Sequence, residues 1–241
     1  IMRKTIFILI WISMIPVALY AGVNPIDRSF AAQDHEKEIE IKGVKGVDIS
    51  IGCELYIRQG KQEALRIEAD EDIFHLLEIE VRDSMLYIDS DKGDHDIGDW
   101  DVAVYLSVKT LHFIDISGAV KLETVGRLKT SRLEIDVSGA ADIDMQIDTE
   151  KLLADFSGAV NAEIEGKARY VVMDMSGASN VDADDLITDA FYLDFSGFGK
   201  AGIYTEKVLK VDMSGMGVIK YGGNPEKVNA NSSGLGIIKP R

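Results

Sequence analysis

The chain has 241 residues, 46% of them hydrophobic, with four prolines and a formal net charge of −15. That is enough apolar mass for one sizeable β domain, and too little proline for a disordered or collagen-like chain. The charge argues against nucleic acid and against an anionic membrane surface, since both call for a basic footprint. Cations, basic proteins and neutral glycans stay open as partners.

Residues 1–21 have the layout of a secretory signal peptide. Arg3 and Lys4 precede the apolar run IFILIWISMIPVAL, and Ala21-Gly22 supplies small residues after it. Cleavage there leaves no integral membrane segment; an uncleaved anchor is the alternative, although the run is short for a full span. Residues 22–38 read as a linker. From 39 to 110 come short strand-like runs, KEIEI, VDISIGCELYI, ALRIEA, LEIEV, MLYIDS and WDVAVYLSV, which fit three imperfect coils of an irregular N-terminal part. The single cysteine, Cys53, rules out an intrachain disulfide and a cysteine zinc site, and its apolar neighbours make it a buried structural thiol.

Between two of these runs lies DSDKGDHDIGDWD, residues 89–101, with Asp89, Asp91, Asp94, Asp96, Asp99, Asp101 and, among them, Trp100. D-x-D-x-G resembles the start of a calcium loop, but the twelfth position holds Trp100 instead of a bidentate glutamate. The plain reading is a solvated acidic loop. A cation site or a carbohydrate platform built on Trp100 is the alternative, and no other unrepeated stretch is as well suited to binding.

From 111 onward the sequence repeats. LHFIDISGAVKLE, LEIDVSGAADIDM, LLADFSGAVNAEI, VVMDMSGASNVDA, FYLDFSGFGKAGI and LKVDMSGMGVIKY follow one another, with a decayed copy, VNANSSGLGIIKP, at the end. Their glycines are Gly118, Gly139, Gly158, Gly177, Gly197, Gly215 and Gly234, about 19 residues apart. Apolar residues fill positions −2, −4 and −6 before the glycine in five copies, from Leu133–Val137 to Leu209–Met213, and +2, +4 and +6 after it in Ala141, Ile143, Met145 and Val160, Ala162, Ile164, a period of two on both sides. Each unit is therefore two short strands meeting at a corner. A positive φ is expected at the glycine, with the preceding serine hydroxyl capping the corner. A unit of this size cannot close a core alone; stacked units can. The fold class predicted is all-β, a right-handed parallel β-helix (β-solenoid) of roughly 19-residue coils, with residues 111–241 continuous with 39–110. The absence of Asn-Gly and Asp-Gly turns from the repeats disfavours an antiparallel sandwich. His112 falls on the inward phase of its copy, and DISIGCELYI, residues 48–57, resembles the repeat core with one residue inserted.

Stacking places Asp115, Asp136, Asp155, Asp174, Asp194 and Asp212 in one column, and Ser117, Ser138, Ser157, Ser176, Ser196 and Ser214 in another on the same polar face. Carboxylates about 4.8 Å apart repel by roughly 0.9 kcal/mol per pair in water. Serine hydroxyls or backbone amides, bound cations such as calcium, or neighbouring lysines could offset this. A structural ladder is the first reading of the column; calcium binding and a catalytic acid cluster are the alternatives. Repetition favours structure over catalysis, because catalysis occupies one place.

The secretory start, DISIGCELYIRQG, the VYLSVKTLHFIDISGAVKLE transition and the tandem D-φ-S-G-A copies (φ, apolar) together resemble the head GIN domain family, labelled auto-transporter adhesins, from about residue 39 to the C-terminus. The resemblance implies an exported β-helical protein of the Gram-negative envelope, in the periplasm, on the outer-membrane surface or outside the cell. No catalytic residues come with it. The reading that results is a non-enzymatic adhesin or ligand-binding solenoid with a glycan or other cell-surface ligand and no cofactor. A pectinase-like carbohydrate-active enzyme and a structural envelope spacer are the alternatives.

Overall fold

The computed structural model describes residues 35–90 and 102–241. The signal-peptide reading, most of the linker and all of the 89–101 loop except Asp89 and Ser90 lie outside them. Residues 35–38, assigned to the linker, already form part of a strand.

The N-terminal part contains β1 (His35–Ile39), β2 (Gly46–Ile49), β3 (Cys53–Gln59), β4 (Ala64–Ala69), one helical turn α1 (Glu71–Phe74), β5 (Leu77–Arg82), β6 (Met85–Ser90) and β7 (Val102–Val108). The repeats supply β8 (Phe113–Ile116), β9 (Ala119–Thr124), β10 (Leu128–Val137), β11 (Ala140–Phe156), β12 (Ala159–Met175), β13 (Ala178–Ala183), β14 (Leu186–Phe195), β15 (Phe198–Tyr204), β16 (Val208–Met213), β17 (Met216–Gly222), β18 (Lys227–Ser232) and β19 (Ile237–Pro240). Every pairing between repeats is parallel and in register with the Ser-Gly corners, as a β-solenoid requires: Asp136 opposite Asp155, Asp155 opposite Asp174, Asp174 opposite Asp194. β11 and β12 run through 17 residues each, because the chain continues extended around the corner opposite Ser-Gly.

The N-terminal part differs from three imperfect coils. β2 and β3 pair in parallel with β8 and β9, while β6 and β7 pair in parallel on the other side of β2 and β3. These two coils thus stack in the reverse of their chain order. The remaining strands are antiparallel: β1 on β4, β4 on β7, β5 on β6. The polar DS at 83–84, both residues at positive φ, makes the tight turn between β5 and β6. DISIGC also contains no insertion. Asp48 lies opposite Asp115 and Cys53 opposite Val120, so Ile51 occupies the glycine's register.

The inward positions are the period-two residues expected. Phe156, Phe191 and Phe195 are fully buried, and Met173, Met175 and Met213 line the same core. Each such side chain contributes about 1.5–3 kcal/mol through removal from water. Cys53 is buried, and burial raises its thiol pKa to about 12. His112 is not a core residue. A change of phase between Leu111, buried, and Ile114, buried, leaves it half-buried, with Nδ1 2.9 Å from Thr130 Oγ1. At the corner opposite Ser-Gly, buried threonines satisfy backbone carbonyls: Thr188 Oγ1 donates to Tyr204 O at 2.7 Å and Thr205 Oγ1 to Asp189 O at 3.1 Å.

Candidate functional site

The Ser-Gly corner works by close approach, and the expected positive φ is absent. None of the seven repeat glycines is among the positive-φ residues. A Cβ at Gly158 would lie 1.8 Å from Gly139 O, and one at Gly139 would lie 2.0 Å from Gly118 O. Only a residue without a side chain lets successive corners stack this tightly. The corner is tied by backbone: Ser138 N and Gly139 N both donate to Ile116 O, at 3.0 and 3.2 Å, and Ala140 N donates to Gly118 O at 3.0 Å. The serine hydroxyl is not the general cap. Ser157 Oγ reaches Val137 O at a long 3.4 Å, and Ser117, Ser138, Ser176, Ser196 and Ser214 stand exposed beside it.

Because the corners stack in register, the aspartates form the expected column. It begins one coil earlier than the repeats suggest, with Asp48 opposite Asp115, and ends on Asn231 opposite Asp212. The DIS of DISIGC carried the signal for Asp48. Partial burial, and then neighbouring carboxylates, push Asp48, Asp115, Asp136 and Asp174 above the usual carboxylate range. At the C-terminal end the effect reverses. Asn231 Nδ2 donates to Asp212 Oδ1 at 2.9 Å and Lys210 Nζ lies 2.7 Å from Oδ2, holding Asp212 below that range. Of the offsets available, among the described residues a serine hydroxyl serves Asp48 alone, through Ser50 at 3.5 Å. Lysine and asparagine serve Asp212.

A second outward column runs along the strand after the corner, with Glu123, Asp144, Glu163 and Asp182 in register. Beside it lies a hollow of about 200 Å³ lined by Glu163, Glu165, Asp182, Asp184, Asp185 and Arg241, with Arg241 ion-paired to Asp184. Periodicity did not single out these residues, since Asp184 and Asp185 lie in the break between β13 and β14, outside the period-two positions. A shallower hollow lies on the aspartate column itself, at Asp194, Asp212, Ser214 and Asn231. Among the described residues no three His, Cys, Asp or Glu side chains converge as a metal site. Of the 89–101 loop, Asp89 is described; its Oδ1 accepts from Ser90 N at 2.8 Å, and its charge adds to the rise at Asp48.

A parallel solenoid with D-φ-S-G corners over this span matches the family model described as "Putative auto-transporter adhesin, head GIN domain" across residues 44–225. The chain belongs to the head GIN domain family. Its fold is that of several solved structures. A putative adhesin from Bacteroides fragilis is 22% identical, with a TM-score of 0.81 over 87% of this chain and 97% of that one. A putative adhesin from Parabacteroides distasonis is 16% identical, with a TM-score of 0.66 over 88% and 98%. A protein from the same species titled a putative lipid binding protein is 19% identical, with a TM-score of 0.63 over 86% and 96%. No curated protein matches the chain significantly in sequence. Among the described residues no helix is long and apolar enough to cross a membrane.

Proposed function

We propose that this protein is an exported adhesin of the cell envelope that holds a surface ligand on its outward polar columns and does not transform it. The observation that carries the reading is the column from Asp48 to Asp212, one carboxylate per coil on a rigid parallel sheet. Such a ladder presents the same group at a fixed interval of about 4.8 Å, which suits a repeating ligand. The raised pKa values along it mark carboxylates that gain from a hydrogen-bond donor or a cation. A glycan meets that need with hydroxyl donors, and calcium can bridge glycan and carboxylates. Membership of an adhesin family and likeness to adhesin structures support a role at the cell surface. The test is retention of a panel of neutral and acidic polysaccharides, with and without calcium. The Asp136→Asn, Asp155→Asn, Asp174→Asn triple variant should lose most of the retention, and equal retention by variant and wild type would refute the column as the site.

One observation favours a second reading. The hollow at Asp184 has an acid cluster with a basic neighbour, the pattern a polysaccharide lyase or hydrolase would use. At about 200 Å³ it is below the usual size of a ligand pocket, and its arginine is already paired. New chain ends that disappear in Asp184→Asn would establish this reading.

A further inference from the structure

We infer that the outward face of β15, β17 and β19 docks the solenoid onto an anionic lipid surface. The net charge of the whole chain hides a segregation. From residue 198 onward there are seven Lys or Arg against three Asp or Glu, leaving 19 against 38 in the preceding residues. The reversal is sharpest on a single sheet face. Reading down the stack at one outward register position, Asp144, Glu163 and Asp182 give way to Gly202, Lys220 and Lys239. At the position next to the corner, Ala140, Ala159 and Ala178 give way to Phe198 and Met216. At the position between them, Lys200, Val218 and Ile237 align.

The large apolar side chains on this face are uncovered: Phe198 is 63% exposed, Met216 48%, Ile237 56%, and Leu235, two residues before Ile237, 81%. Inward positions on the same strands, Ala201, Ile203 and Ile219, are buried, so the exposed residues are not stray core. Among the described residues, Lys200, Lys220 and Lys239 have no carboxylate within ion-pairing distance, unlike Lys207 and Lys210. β15, β17 and β19 contain no acidic residue at all.

Aromatic and aliphatic side chains interleaved with free lysines on a flat face match a bilayer interface, where apolar groups enter the acyl boundary and ammonium groups meet phosphates. A second copy of the chain is a poorer fit. Its acidic face would satisfy the lysines, but the same positions there carry alanine and carboxylates, against which Phe198 and Met216 would gain little. The D-φ-S-G aspartates lie on the strands before the corner, β8, β10, β11, β12, β14 and β16, and not on β15, β17 or β19. The inference is independent of what that column binds.

The test is cosedimentation of the purified protein with phosphatidylcholine–phosphatidylglycerol vesicles and with phosphatidylcholine vesicles. Binding is expected to the anionic vesicles alone and to fall steeply in about 1 M salt, where the Debye length is about 3 Å. Phe198→Asp with Met216→Asp, and separately Lys200→Glu with Lys220→Glu and Lys239→Glu, should each lower partitioning roughly tenfold or more. All five positions are outward, and thermal melts confirm that the variants fold. Asp136→Asn should bind vesicles like wild type. Absence of binding, equal binding to neutral vesicles, or variants that bind unchanged would overturn the inference. So would a wild-type oligomer that these same substitutions dissociate, since the occupant would then be a second copy.

Discussion

Replacing Asp136 with asparagine should stabilise this protein. Asp136 sits in register between Asp115 and Asp155, and its carboxyl is raised by partial burial and by those two neighbours and Glu134. Two like-charge neighbours at about 4.8 Å cost roughly 1.7 kcal/mol in pure water. Screening at physiological salt, with a Debye length of about 8 Å, reduces this to about 1 kcal/mol. The fold already contains the substituted arrangement: Asn231 donates to Asp212, and in a neighbouring column Asn161 Nδ2 donates to Asp142 Oδ1, both at 2.9 Å. An amide at 136 can donate to a neighbouring carboxylate in the same way. The expected gain is about 1 kcal/mol, or a Tm rise of roughly 2–4 °C by calorimetry at pH 7. In about 1 M salt the gain should shrink by more than half. A loss of stability, or a gain that salt leaves unchanged, would refute the argument from like-charge stacking.

Three further outcomes follow from the same geometry. Gly158→Ala should cost about 3 kcal/mol or more, because its Cβ would meet Gly139 O at 1.8 Å of backbone; Gly126→Ala, at φ +82° with open space around it, should cost only about 1–2 kcal/mol by denaturant titration. The folded state binds protons more tightly than the unfolded chain at Asp48, Asp115, Asp136 and Asp174, and less tightly at Asp212. The four raised groups therefore remove stability as pH rises through the carboxylate range, so Tm should climb as pH is lowered toward the ordinary carboxylate pKa of about 4, and the Asp136→Asn, Asp174→Asn double variant should flatten that climb. Cys53, buried with its thiol raised to about 12, should resist a thiol reagent in the native protein and react once denaturant unfolds it.

The repeats were legible because stacking in register demands the same residue type at the same phase. Period-two positions named the core from Leu133 to Met213, and the D-φ-S-G phase placed the aspartate column. The glycine's importance was legible but its reason was not: φ and close approach leave the same glycine in a sequence, and only the stacked carbonyl at Gly139 separates them. DISIGC looked like a repeat with an insertion because Ile51 stands where the others have glycine, a substitution that local spacing cannot distinguish from a shift. The antiparallel pairing of β1, β4 and β5, and the reversed stacking of β6 and β7, were illegible because alternation marks a strand and says nothing of its direction. Similarly, the acidic total obscured the basic C-terminal face, since a sum over 241 residues carries no position. The hollow at Asp184 rests on the break between β13 and β14, outside the period-two positions, so no repeat pattern announces it.

One incubation tests the central claim most directly. The protein is mixed with polysaccharides of defined length, with and without calcium, and bound material and new reducing ends are measured in the same sample. The expected result is polysaccharide retained at unchanged length, and retention that falls when Asp136, Asp155 and Asp174 become asparagine. New chain ends accumulating in proportion to protein would contradict a binding role and move the chemistry to the hollow at Asp184.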